Sequence, residues 1–243
     1  MGRLDGQRAV VTASGGKMGG TIALRLAAEG CDIALNDLDA ALTAPYAEQI
    51  RAEDRDVIEV IGDVPQREHA EALIYGAIER WGGVDILVNN VGGSTGPYIQ
   101  DILEIKDEDW DATLLLNTRA TFLCSQLAVP GMMERRHGKI VNISSASWSG
   151  NVAPYAIAKA AVVSFTRGLA NELGKFNINV NAIAPGATKT RFQPPAEMAA
   201  MMPLGRVNEP DDIADTVVFL ASEESRNISG QLITVASGRN PAM

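Results

Sequence analysis

The chain carries only two cysteines and two histidines in 243 residues, and that scarcity removes whole classes of chemistry. Cys31 and Cys124 stand far apart, each in an apolar run without ligand spacing around it. Free cysteines in such runs serve as small core residues, so a disulfide framework is excluded and a reducing, cytoplasmic setting is expected. His69 lies in the helical stretch PQREHAEALIYGAIERW, where it is expected to be solvated; His137 lies in the charged connection ERRHGK. Neither has neighbours that complete a metal site or a Ser-His-Asp triad. No metal is expected, and a serine hydrolase would lack its base.

Long hydrophobic runs are missing too. None approaches the roughly 20 residues of a spanning helix. The opening MGRLDGQRAV has no apolar centre of the kind a signal peptide needs. Positive charge is in deficit, 21 Lys and Arg against 30 Asp and Glu, for a net charge of −9. That balance argues against a nucleic-acid partner or an anionic membrane surface. The acidic residues are spread along the chain, as on solvated helix faces.

What is present is a regular alternation in a chain that is 46% hydrophobic. Short β-rich runs fall at 9–12, 32–36, 57–62, 86–90, 139–144, 178–184 and 232–235, and the clearest helical patterns at 18–29, 65–81, 155–173 and 210–221. In the first helix Ile22 and Leu26 recur at helical spacing, with Ala23 and Ala27 beside them to permit close approach to a sheet. Such β-α-β repetition with near-continuous apolar strands predicts a single-domain α/β fold over 1–243. Its parallel sheet is doubly wound, about seven strands with helices on both faces. Ligands bind such sheets beyond the carboxyl ends of the strands. Chemically useful residues collect there: Ser14–Gly19, Asp37, Asp63, Asn90–Gly93, Ser145 and Pro185–Thr190.

Several of these suit a dinucleotide. A glycine cluster between a strand and a helix lets backbone N–H groups hold a pyrophosphate. Asp37 closes the second strand in IALNDLD, where a carboxylate accepts from both ribose hydroxyls and repels a 2′-phosphate. Lys17 pulls the other way, toward a phosphorylated ribose. In YAIAKAAVVSF, Tyr155 and Lys159 share one helix face. A phenol ordinarily titrates near pH 10. A neighbouring ammonium lowers that value, so Tyr155 gains access to proton transfer with a carbonyl or alcohol oxygen. Ser145, just past a strand, is placed to hydrogen-bond the same oxygen. Asn117, in LLLNTRATF, either holds a water linked to Lys159 or is a satisfied core amide.

The ordered set TASGGKMG, GDV, NNVG, LNTRATF, NISS, YAIAK, APGATKT and PLGRVNEPDDIADTVVFLAS resembles a classical short-chain dehydrogenase/reductase, including 3-oxoacyl-ACP reductase-like members, over essentially the whole chain. The resemblance implies a Rossmann-like fold, NAD or NADP as cofactor without a metal, a carbonyl or secondary-alcohol substrate, and a homotetramer. It implies a catalytic tetrad of Asn117, Ser145, Tyr155 and Lys159. Cofactor contacts are implied at Ser14, Gly15, Lys17, Met18, Gly19, Asp37, Leu38, Asp63, Val64, Asn90, Val91 and Gly92. Tyr155, Lys159, Pro185, Gly186, Thr188 and Thr190 complete that set.

Three departures stand out. Against the family's T-G-x-x-x-G-x-G, this turn reads Thr12-Ala13-Ser14-Gly15-Gly16-Lys17-Met18-Gly19. Ala13 is a small change if its backbone is not left-handed. Lys17 requires its Cβ to point away from the pyrophosphate. The interval from Ser145 to Tyr155 is shorter than the family's usual one, leaving Ser144 and Ser147 as alternatives if the loop takes another path. Trp148 in that loop either walls the substrate pocket or plugs the gap. The lid, 190–203, is also abbreviated; its methionines and Phe192 make an apolar cover. The terminal VASGRNPAM lacks the acidic residue often found in the family's VDGG. The expectation is an NAD-dependent oxidoreductase, ketoreductase or alcohol dehydrogenase, for an apolar or medium-sized substrate. The altered turn motivates a second reading, a cofactor-sensing or scaffold protein that lost turnover.

Overall fold

The structure, a computed structural model, describes residues 2–96, 98 and 101–239. Its strands are β1 (Arg8–Val11), β2 (Asp32–Asp37), β3 (Val57–Ile61), β4 (Ile86–Asn89), β5 (Gly138–Ile143), β6 (Ile178–Pro185) and β7 (Leu232–Val235). Between them run α1 (Lys17–Ala28), α2 (Ala40–Ala52), α3 (Arg67–Trp81), α4 (Asp107–Leu114), α5 (Ala120–Arg135), α6 (Pro154–Leu173), α7 (Ala196–Ala200) and α8 (Pro210–Ala221). The strands form one sheet in the order β3-β2-β1-β4-β5-β6-β7, each neighbouring pair parallel. This is the doubly wound order, and every strand lies within a residue of its expected bounds.

The period of two along each strand divides the core. Ala9, Val11, Ile33, Leu35, Ile86 and Val88 face a layer with Ile22 and Leu26 of α1 and Ile213 and Val217 of α8. Val10, Ala34 and Leu87 face the opposite layer, with Leu73 and Ile74 of α3 and Leu123 and Leu127 of α5. Each such buried Leu or Ile contributes roughly 1.5–3 kcal/mol. Gly20 on α1 is packed so closely that an added Cβ would lie 2.1 Å from the Tyr46 ring of α2.

Two helices are harder to read from the sequence. α2 contains Pro45 and α5 contains Pro130, residues that ordinarily break a helix. In α2, capping by the Asp39 side chain on Ala41 N–H and burial of Thr43, Ala47 and Ile50 on one face outweigh the lost hydrogen bond. Among the described residues no helix is long and apolar enough to cross a membrane.

Strand order reverses at β1, whose neighbours are β2 and β4, so the crevice opens above β1 and β4. Asn90 closes its floor. Its backbone N–H donates to Thr12 Oγ1 at 2.9 Å, and its Nδ2 donates to the carbonyls of Thr12 and Ala13 at 3.0 and 3.1 Å.

Candidate active site

The glycine turn is built around a strained alanine. Ala13 has φ 51°, the left-handed region, so the condition under which alanine would be a small change is not met. The added methyl costs about 1–2 kcal/mol at such a residue. Ser14 hydrogen-bonds the backbone of β2 at Asn36 through both its N–H and its hydroxyl, so its side chain faces the sheet rather than the crevice. Gly16 caps α1 and Lys17 is the first helical residue, exposed, with no acidic residue in the first turn. A lysine there opposes the helix dipole by about 0.3–1 kcal/mol, a cost that a bound anion reverses. A Cβ on Gly19 would lie 2.2 Å from the Ala13 carbonyl oxygen, which explains why the turn keeps glycine at that position.

Asp37 ends β2 facing this turn. Its Oδ2 accepts from Gly15 N–H at 2.9 Å, and its Oδ1 accepts from the N–H of exposed Leu38 at 2.8 Å. Each oxygen keeps a lone pair for a further donor. Asp63 follows β3, and its N–H donates to His69 Nδ1 at 3.0 Å. His69 is therefore half-buried and holds this turn, which corrects its expected solvation. Val64 is buried in the core against α3.

The acid–base group assembles at the start of α6. Pro154 opens that helix, where its fixed φ suits the first turn and its missing N–H is not needed. Tyr155 and Lys159 follow on one face, with Lys159 Nζ 5.7 Å from the Tyr155 ring centroid. Burial pushes the Lys159 ammonium down to about 8. Its Nζ donates to the Ile143 carbonyl at the end of β5, 2.9 Å away. Burial also raises the Tyr155 phenol above its ordinary value, opposed by a hydrogen bond with Ser145, which corrects the lowering expected from Lys159. Ser147 N–H donates to Ser145 Oγ at 3.2 Å, which leaves the Ser145 hydroxyl hydrogen available to Tyr155. The Ser144 hydroxyl instead donates to the Lys159 carbonyl, so that side chain is structural.

Asn117 sits in a π-helical turn, Leu115–Arg119, between α4 and α5. Its Nδ2 donates to the carbonyls of Gly93 and Thr113 at 2.8 and 2.7 Å, and its Oδ1 accepts from Gly93 N–H at 3.1 Å. Both amide hydrogens are thus used by the protein. A Cβ on Gly92 would lie 2.4 Å from both Asn117 Oδ1 and Lys159 Nζ, so a side chain here would push apart the two polar groups. Val91 N–H donates to Thr12 Oγ1.

A cleft of about 700 Å³ brings together part of this set, while Asn117 and the contacts from Asp37 to Val64, with Lys17, are not in its lining. Met18, Asn90, Gly92, Ser145, Tyr155, Lys159, Pro185, Gly186, Thr188, Thr190 and Phe192 all line it. Trp148 does not: Ser147 and Ser149 on either side face the cleft, while the Trp148 indole Nε1 is buried without a partner among the described residues. The lid folds into the short helix α7, and Met198 and Met202 cover the cleft. Sequence reasoning missed Tyr98, whose ring meets that of Tyr155 edge-on at 6.4 Å, and Arg239. Neither lies in a motif with a spacing to read. Residues 240–243 of the atypical terminus lie outside the described residues.

The residues fit a dinucleotide. The α1 N-terminus lacks a counter-charge, and Asn90 Oδ1 is buried at the cleft with no partner among the described residues. At Gly92 a side chain would close the approach to Lys159.

The profile of a family described as Enoyl-(Acyl carrier protein) reductase matches residues 13–240. A 2-dehydro-3-deoxy-D-gluconate 5-dehydrogenase of Escherichia coli is 37% identical, with 97% of this chain and 96% of the relative covered. A (2S)-[(R)-hydroxy(phenyl)methyl]succinyl-CoA dehydrogenase subunit of Thauera aromatica is 36% identical, covering 96% of both. Among solved structures, a 7α-hydroxysteroid dehydrogenase complexed with NADH and 7-oxo glycochenodeoxycholic acid superposes with a TM-score of 0.90 at 33% identity, over 98% of this chain and 96% of that one.

Proposed function

The chain belongs to the classical short-chain dehydrogenase/reductase family, and on that premise we propose that it works with NAD and uses Tyr155 as its proton donor and acceptor. It is an oxidoreductase that moves hydride between a nicotinamide cofactor and a carbonyl/alcohol pair. Nothing found favours a scaffold without turnover.

The turn Gly15–Gly19 and the start of α1 would hold the pyrophosphate, Asp37 and Leu38 the adenosine ribose, and Asp63 and Val64 the adenine edge. Asn90, Val91 and Gly92, with Pro185, Gly186, Thr188 and Thr190, would line the nicotinamide end. The bound nicotinamide supplies or accepts the hydride.

The chain's own residues handle the proton. In reduction, the Tyr155 hydroxyl donates to the substrate oxygen while Ser145 hydrogen-bonds the same atom. A buried phenol, raised above its ordinary value, is protonated at neutral pH and so stands ready as the donor. Lys159, held by the Ile143 carbonyl, stabilises the phenolate left behind and keeps hydrogens for a ribose hydroxyl. Asn117 is a positioning residue that clasps Gly93; a water relay through it has only the second Oδ1 lone pair to use. The apolar lid suits a hydrophobic or medium-sized ketone or secondary alcohol.

The observation that carries the cofactor assignment is Asp37, a carboxylate fixed at the end of β2 by Gly15 and Leu38. Its charge opposes a 2′-phosphate, while exposed Lys17 is tied to no partner among the described residues. Fluorescence titration is expected to give an NADH dissociation constant at least about tenfold below that for NADPH, a gap of ~1.4 kcal/mol. Equal or tighter NADPH binding would reverse the assignment.

A homo-oligomer is part of the same proposal. An apolar groove on α4, α5 and α6 leaves Leu115 and Phe122 exposed beside Phe165, a face suited to a second copy of the chain.

A further inference from the structure

The cleft that holds Tyr155 and Lys159 contains a second cation. Arg239 lines it from the segment after β7, together with Met202 and Phe192 of the lid. It is exposed and makes no ion pair among the described residues. No aspartate or glutamate lines the cleft among the described residues, although the chain has 30 acidic residues against 21 basic ones. An acidic protein has therefore kept carboxylates out of one pocket and placed an unpaired guanidinium in its wall.

We propose that Arg239 binds a carboxylate of the substrate, so that the physiological substrate is an oxo or hydroxy acid rather than a neutral ketone or alcohol. This deepens the reading above and rests on it for the identity of the reacting group. The planar guanidinium fork matches a carboxylate through two parallel hydrogen bonds. The apolar side chains of Phe192, Met198 and Met202 line the same cleft and suit the carbon skeleton that joins the two ends. Ser145 and Tyr155 take the reacting oxygen at one end; Arg239 takes the acid at the other.

The cofactor is the other source of anionic charge, and the topology argues against it. The pyrophosphate turn follows β1, and Arg239 follows β7 at the sheet edge, four strand positions away in the order β1-β4-β5-β6-β7. At 4.7–4.9 Å per strand that is roughly 19 Å. In the reading above, Lys17 and the α1 N-terminus would serve the phosphate end.

The test uses 4-oxopentanoate and its uncharged analogue 4-oxopentanamide, with binding followed by ligand-observed NMR at saturating NAD+, with which a ketone cannot react. The native protein is expected to bind the acid about tenfold more tightly than the amide, the scale of one charge-assisted contact. In Arg239→Gln the two are expected to bind within about twofold of each other, with Arg239→Lys intermediate. Equal binding by the native protein, or a preference that survives Arg239→Gln, would overturn the proposal. So would a tenfold loss of NADH affinity in Arg239→Gln with the acid preference intact, since the arginine would then serve the cofactor. A lost preference in Arg239→Gln combined with no reduction of either probe by NADH or NADPH would uphold the acid site and count against the proposed chemistry instead.

Discussion

At Ala13 the chain holds an ordinary residue in a backbone conformation that favours glycine, φ 51°, at the point where β1 turns into the cofactor loop. Replacing it with glycine removes the steric cost of about 1–2 kcal/mol but gives the unfolded chain more freedom, worth about 0.5–1 kcal/mol. Ala13→Gly is therefore expected to stabilise the protein by up to about 1.5 kcal/mol in urea or thermal unfolding; a loss of stability would mean the strain is not relieved. The sequence identified this position as a departure, but not its cost, because a dihedral angle has no signature in composition. Tyr155, Lys159 and Ser145 were singled out through the family resemblance, since a Tyr and a Lys at this spacing occur on many helices, and the fold brings all three to one cleft. Trp148 was ambiguous because a shortened loop does not say which way a side chain turns. Ser14 was placed among the cofactor contacts on position alone, while its hydroxyl is engaged by Asn36.

The elements are pinned at the end of the sheet opposite the cleft by buried Asp85, which pairs with Arg8 and, at 3.6 Å, with Arg135. Asp85, just before β4, accepts from Arg8 Nε at 2.6 Å, Nη2 at 2.7 Å and the Arg8 backbone N–H at 3.1 Å. Its own backbone continues the clamp, donating to the Arg8 carbonyl and accepting from Lys139 N–H, so β1, β4 and β5 meet there. Burial alone would raise the Asp85 carboxyl, but the hydrogen bonds and charge of Arg8 outweigh it and hold the group below its ordinary value. Stability from this pair is present above the unfolded aspartate pKa near 3.9 and is lost as pH falls through the lower folded value. Asp85→Ala leaves Arg8 partly buried and uncompensated. It is expected to cost about 2–4 kcal/mol in urea unfolding at pH 7, somewhat less than for a wholly buried pair. A cost under about 1 kcal/mol would show that the arginine finds water instead. The strands that this clamp joins were readable from their apolar runs. α2 and α5 were not, because Pro45 and Pro130 obscure a pattern that only tertiary burial restores.

For the whole molecule, the net charge of −9 is spread outside the cleft around Tyr155, whose described lining residues include no aspartate or glutamate. The apolar groove of α4–α6 is the other unbalanced surface. Phe122, 40% exposed there, packs edge-on to Phe165 at 6.4 Å. Phe122→Asp is expected to reduce the mass seen by light scattering to that of one chain, while the native protein runs as an oligomer. An unchanged mass would place the contact elsewhere. The parallel, doubly wound class was legible at this scale from β-α-β alternation, while the strand order is set by how the helices pack and was not. The Arg239 end of the cleft was not, because the fold brings it across from the last strand without any motif to mark it.

Tyr155 carries the proposed chemistry, and one substitution tests its role most directly. With a carbonyl substrate that the native enzyme reduces, Tyr155→Phe removes the proton donor while keeping the ring against Tyr98. Turnover is expected to fall by at least about 100-fold, the lower range for loss of a general acid. The NADH dissociation constant is expected to stay within about twofold. A rate within about twofold of native at unchanged cofactor affinity would contradict the assignment of Tyr155 as the acid.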